Sequence, residues 1–169
     1  CIGNSEAVSL QVIFNIFRQR VITQLLPVAK ENRVGIIARV PLASGLLSGK
    51  FSRDHEFGEN DHRSFNCDGQ LFNVGETFAG VPFDRGVELA GRVSDLLGGE
   101  CSGATLAQKS LRWVLDHDAV TTVIPGAKDA MQAGENADVS GITPLSGKAH
   151  ADLLELYNAQ IDSQVRGRY

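Results

Sequence analysis

The sequence predicts an α/β fold built on a parallel sheet, and three observations predict it. Short apolar, β-branched runs stand at residues 10–15, 35–40 and 120–124. Segments with helical spacing lie between and after them. The first run is nearly apolar on both faces, as in strands covered on two sides. Strands alternating with helices imply crossover connections between parallel neighbours.

The elements follow in order. Residues 10–15 (LQVIFN) read as the first strand. Residues 21–32 carry Ile22, Leu25, Leu26 and Ala29 at helical spacing, with Pro27 expected to kink or shorten that helix. Residues 35–40 (GIIARV) form the second strand, stopped by Pro41. From about 51 to 81 the chain is polar and glycine-rich without a period. A stretch of that length is a functional or mobile segment. Residues 83–97 read as a helix on Val87, Leu89, Ala90, Val93, Leu96 and Leu97, ended by Gly98-Gly99. Thr105 with Gln108 makes a capping box for a helix that buries Ala107, Leu111, Val114 and Leu115. Residues 120–124 (VTTVI) are the third strand, ended by Pro125-Gly126. Asp129 caps a helix running to about Ala137. Ser146 caps the last one, expected to bury Leu153, Leu154, Tyr157 and Ile161 and to fray from Gln164 to Tyr169. Trp113 reads as packing, and His117 and His150 as surface residues.

Composition bounds the function. At 169 residues with 43% hydrophobic content, the chain is expected to be one folded domain, residues 1–169. A formal charge of −4 lacks the basic footprint of a nucleic-acid binder. No apolar run approaches the roughly 20 residues of a membrane span, and residues 1–10 do not read as a signal peptide. Cys1, Cys67 and Cys101 are odd in number and far apart, which fits neither a disulfide framework nor a zinc site. A reducing, cytoplasmic location is expected. His55 and His62 sit among Asp54, Glu56 and Asp61 in no metal-ligand spacing, and no nucleophile-elbow pattern occurs.

Two loops carry chemistry. Residues 41–50 (PLASGLLSGK) follow the second strand. Their small residues admit close approach of a phosphate, and Ser44, Ser48 and Lys50 add donors. The spacing is not that of a P-loop: three residues separate Gly45 from Gly49, and Phe51 follows Lys50. Residues 124–136 (IPGAKDAMQAGEN) run from the third strand through a turn into a helix. A helix N-terminus favours anions, and Lys128 stands beside it. Gln132, Glu135 and Asn136 fall at i, i+3 and i+4 on one helix face, a polar surface of adenine size. In a (β/α)₈ barrel the loops after strands seven and eight often form a phosphate site, which links these two loops.

These residues together resemble the C-terminal half of an aldo-keto reductase of the bacterial kind with an IPGAK turn. The resemblance runs through LQVIFNIFRQR from Leu10, GIIARVPLASGLLSGKF from Gly35, DHRSFN from Asp61, TLAQKSLRWVLDHDAVTTVIPGAK from Thr105 and the helix holding Gln132 to Asn136. It implies a partial (β/α)₈ barrel: strands six to eight with their helices, an added helix and a C-terminal helix. It also implies reduction of an aldehyde or ketone with NADPH.

The resemblance places the cofactor residues one by one. Gln11 matches the glutamine that holds the nicotinamide carboxamide. Arg39 stands where many members place an aromatic that stacks on the nicotinamide, and its flat guanidinium offers a stacking surface of its own. Leu42 and Ser44 match the loop over the pyrophosphate. Gly126, Ala127 and Lys128 match the turn at the adenosine 2′-phosphate. Gln132 replaces a phosphate-binding Arg, so Lys128 carries more of that recognition. Glu135 and Asn136 match the pair that hydrogen-bonds adenine. The family's Tyr, Lys, Asp and His come from earlier strands, so no catalytic residue is transferred to this chain. The implied partners are a small carbonyl substrate and, for the sheet edges, the N-terminal half of a barrel or a second copy. The alternative is a non-catalytic NADP(H)-binding or regulatory half-barrel.

Overall fold

The computed structural model describes residue 2 and residues 6–166. Cys1, Tyr169 and the rest of the expected frayed end at 167–169 lie outside the described residues. Three strands, β1 (Ser9–Ile13), β2 (Gly35–Arg39) and β3 (Val120–Ile124), form one parallel sheet in the order β1-β2-β3. Helices α1 (Val21–Gln24) and α2 (Leu26–Glu31) connect β1 to β2. They are the single helix expected at residues 21–32, broken at Leu25 because Pro27 belongs in a first helical turn. Between β2 and β3 lie the one-turn helix α3 (His62–Phe65), α4 (Phe83–Leu96) and α5 (Leu106–Leu115). After β3 come α6 (Ala130–Asp138) and α7 (Gly147–Leu156), the latter passing into a wider turn at Tyr157–Ile161.

The caps form as the sequence indicates. Thr105 and Gln108 make the reciprocal capping box of α5. Asp129 accepts from the Gln132 N–H, and Ser146 from the Ala149 N–H. The buried faces differ in detail. Ser110, Leu111, Trp113 and Val114 are the buried residues of α5, while Ala107 and Leu115 are half-buried. On α7 Leu153 and Leu156 are buried, and Leu154 is exposed because it points away from that stripe. Tyr157 and Ile161 are buried.

Register decides which face of the sheet is covered. Leu10, Ile36 and Val120 align across the strands, as do Val12, Ala38 and Val123. Ile36 and Ala38 are fully buried on this face. Ser9, Gln11, Ile13, Gly35, Ile37, Arg39, Thr122 and Ile124 alternate onto the other face. There Gln11 is exposed and Ile124 keeps 44% of its surface in solvent. The expectation of strands covered on both sides is therefore corrected: one face is covered among the described residues. Apolar residues on both faces mark a covered sheet and a barrel interior alike.

His117 and His150 are not free surface residues. Both are half-buried, in a ring cluster with Phe14 and Trp113. His150 Nε2 lies 3.0 Å from Oδ2 of Asp116, which also accepts from the Leu145 N–H. Burial pushes the His117 pKa down, aided by the neighbouring His150.

Candidate functional site

The loop after β2 is anchored from below. The Asn15 side chain donates to the Val40 carbonyl at 2.9 Å. Leu46 and Leu47 are buried, and α4 approaches so closely that a Cβ on Gly86 would stand 2.5 Å from Leu46 Cδ1. Between these anchors the backbone is forced. Val40, Ala43 and Ser44 have φ of 51°, 49° and 57°, the left-handed region where a Cβ is strained. Leu42 is half-buried, and its carbonyl accepts from the Gly45 and Leu47 N–H groups.

A second segment closes on this loop. The Ser44 hydroxyl donates to the Glu76 carbonyl at 2.7 Å and accepts from the Phe78 N–H at 3.2 Å. The Glu76 carboxylate grips Arg39 with both oxygens, at 2.5 Å (Nη1–Oε1) and 2.6 Å (Nη2–Oε2). Phe78 and Ala79 again have φ of 51° and 57°. Of the seven non-glycine residues with positive φ among those described, five thus lie in these two facing segments. Backbone strain of roughly 1–3 kcal/mol per residue persists only where the surroundings over-determine it, as at ligand sites.

Arg63 adds a third tie. It forks onto Asp61 at 2.9 and 2.6 Å and donates to the Ser44 carbonyl at 3.4 Å, while its guanidinium sits 4.5 Å from the Phe57 ring centroid. The Arg63 guanidinium holds the Asp61 carboxyl down to about 2. The DHRS run is therefore a structural brace. The DHRSFN stretch stands out in the sequence only by its resemblance, and neither its bracing contacts nor the role of Glu76 has a periodicity signal, because residues 51–81 lack a period.

The turn after β3 is open. Gly126, Ala127 and Lys128 are exposed, and α6 has no buried residue. The Lys128 N–H donates to the Gln132 side-chain oxygen at 3.1 Å, and the Asn136 side-chain amide to the Gly126 carbonyl at 3.3 Å. Gln132 and Asn136 thereby shape the turn, and Glu135 on the same face is exposed. No acid among the described residues pairs with the Lys128 ammonium.

The structure thus brings the sequence-selected residues into two clusters. Arg39, Leu42 and Ser44 form one, and residues 126–136 the other. Both stand at carboxyl ends of adjacent strands, since Arg39 pairs with Ile124 in register. Gln11 lies on the uncovered face, two residues before the end of β1, with Ile13 beside Arg39. No hydrogen bond or ion pair joins the two clusters among the described residues.

Known proteins give this arrangement a context. The Aldo/keto reductase family profile matches residues 3–158. The L-glyceraldehyde 3-phosphate reductase of Escherichia coli (strain K12) is 32% identical over 129 residues, 76% of this chain and 35% of that protein. A protein described as a probable voltage-gated potassium channel subunit beta, from Arabidopsis thaliana, is 27% identical over 84% of this chain and 41% of its own length. Among solved structures, the glycerol dehydrogenase AKR11B4 from Gluconobacter oxydans superposes with a TM-score of 0.71. It shares 22% identity over 95% of this chain and 45% of its own. The holo form of the aldo-keto reductase AKR11C1 from Bacillus halodurans gives 0.64 at 23% identity, covering 98% and 48%. The chain spans less than half the length of these relatives, and its three parallel strands with their helices are consistent with part of such a barrel. The chain belongs to the aldo/keto reductase family.

Proposed function

We propose that this chain is the NADPH-binding part of a reductase that converts aldehydes or ketones to alcohols. Its strands then take the sixth to eighth places of a (β/α)₈ barrel, in one domain over residues 1–169. The observation that carries this reading is the exposed Lys128 ammonium beside the Asp129-capped start of α6, with no carboxylate ion-paired to it among the described residues. A cation and backbone N–H groups at a helix start form a donor set suited to a phosphate. An extra phosphate distinguishes NADPH from NADH, so the donor set fits the cofactor.

NADPH, when bound, supplies a hydride to a carbonyl carbon. The chain's own residues bind and orient. Lys128 and the turn at Gly126 and Ala127 hold the 2′-phosphate, while Glu135, Asn136 and Gln132 face the adenosine. Leu42 and Ser44 bear on the pyrophosphate, and Gln11 and Arg39 flank the nicotinamide from adjacent strands. No residue here is assigned a catalytic role. The two edges of the sheet, at β1 and β3, receive the remainder of a barrel or a second copy. No helix among the described residues is long and apolar enough to cross a membrane, and a cytoplasmic location agrees with a reduced nicotinamide cofactor.

Isothermal calorimetry with NADPH and NADH tests the reading. NADPH should bind more tightly, and Lys128→Ala should weaken NADPH about tenfold or more while changing NADH little. Equal affinities, untouched by the variant, would count against it. The second reading, a regulatory NADP(H)-binding module, is favoured by the likeness to the plant channel subunit. It shares the same cofactor site and so faces the same titration.

A further inference from the structure

The Arg39–Glu76 pair has a consequence for the cofactor's charge. Both side chains are only partly exposed, at 34% and 19%, so water screens them incompletely. Arg39 ends β2 on the uncovered face, between Ile13 and Ile124. Glu76 arrives from a distant part of the chain and is fixed there by its own carbonyl, which accepts from Ser44, and by the N–H of Phe78 on the same hydroxyl. A cation at the end of β2 is thus delivered together with its counter-charge. No lysine or other arginine is ion-paired to Glu76 among the described residues.

We infer that Glu76 is a positioning residue that neutralises Arg39, so that the site accepts the oxidised nicotinamide as well as the reduced one. This rests on the proposed placement of Arg39 beside the nicotinamide. The oxidised ring carries one positive charge that the reduced ring lacks. A lone guanidinium nearby repels the oxidised form and is indifferent to the reduced form. The carboxylate held against Arg39 cancels that repulsion, and the two-point grip keeps the guanidinium plane from turning.

The test is the ratio of dissociation constants, NADP⁺ over NADPH, measured by calorimetry or by quenching of Trp113 fluorescence. Glu76→Gln leaves Arg39 uncompensated and should raise the ratio about three- to tenfold. Arg39→Gln leaves the carboxylate uncompensated and should lower it. The double variant should return it towards the wild-type value, and Glu76→Asp should leave it nearly unchanged. Arg39→Gln carries the test by its opposite sign if Glu76→Gln does not fold. Weakening of both forms by one factor in every variant would overturn the inference, leaving the pair a structural tie alone. Failure of the wild-type chain to bind either form would overturn the cofactor reading itself, and this inference with it.

Discussion

The two loops at the carboxyl edge of the sheet are built in opposite ways. The loop after β2 is buried at Ala43, Leu46 and Leu47, strained at Val40 and Ser44, and tied through Ser44 to Arg63 and to Glu76, 19 and 32 residues further along the chain. The turn after β3 is exposed and shaped mainly by bonds among residues 126–136, with one outside tie from the Gln108 side chain to the Glu135 carbonyl. One end of the site is thus part of the folding unit, while the other is a surface. Stability and ligand affinity should therefore be coupled at the first loop and separable at the second.

The largest expected effect is on the buried side. Leu47→Ala removes a fully buried side chain beneath the first loop and should cost about 2–5 kcal/mol in denaturant unfolding. Lys128→Ala should stay within about 0.5 kcal/mol of wild type in the same measurement. A destabilised Lys128→Ala protein would show that the second turn, too, belongs to the folding unit.

Next in size is the brace under the first loop. Asp61 is held down to about 2, first by the Arg63 side-chain hydrogen bond. A depressed carboxyl stabilises the fold above its ordinary pKa of roughly 4, and that contribution is lost as pH falls towards 2. Arg63→Ala should flatten the acid limb of the stability–pH curve in that window. An unchanged acid limb would show that Asp61 is not coupled to folding. The smallest effect belongs to Asn136→Ala, which removes the 3.3 Å bond to the Gly126 carbonyl. It should leave stability within about 0.5 kcal/mol and weaken NADPH binding only a few-fold.

Legibility in the sequence follows the same division. The second loop, its Asp129 cap and its polar helix face are local in sequence, and spacing alone places them. The strands and the capping box of α5 are local too. Spacing alone shows the first loop only as a glycine-rich turn after a strand, and the resemblance adds Leu42 and Ser44. Its partners Glu76, Arg63 and Asp61 lie in residues 51–81, where order comes from side chains bonding the backbone. Asn66 shows how: its Oδ1 accepts from the Leu71 and Phe72 N–H groups, and its Nδ2 donates to Thr77. Such bonds leave no hydrophobic period to read. The uncovered sheet face was hidden for another reason, since Ile13, Ile37 and Ile124 suit a buried sheet and a barrel interior equally.

The central claim is that both loops hold one cofactor. Backbone amide shifts of the ¹⁵N-labelled chain, followed as NADPH is added, test it most directly. Leu42 and Ser44 should move together with Gly126, Lys128 and Gln132 along a single saturation curve. Shifts confined to residues 126–136, or separate curves for the two loops, would contradict it.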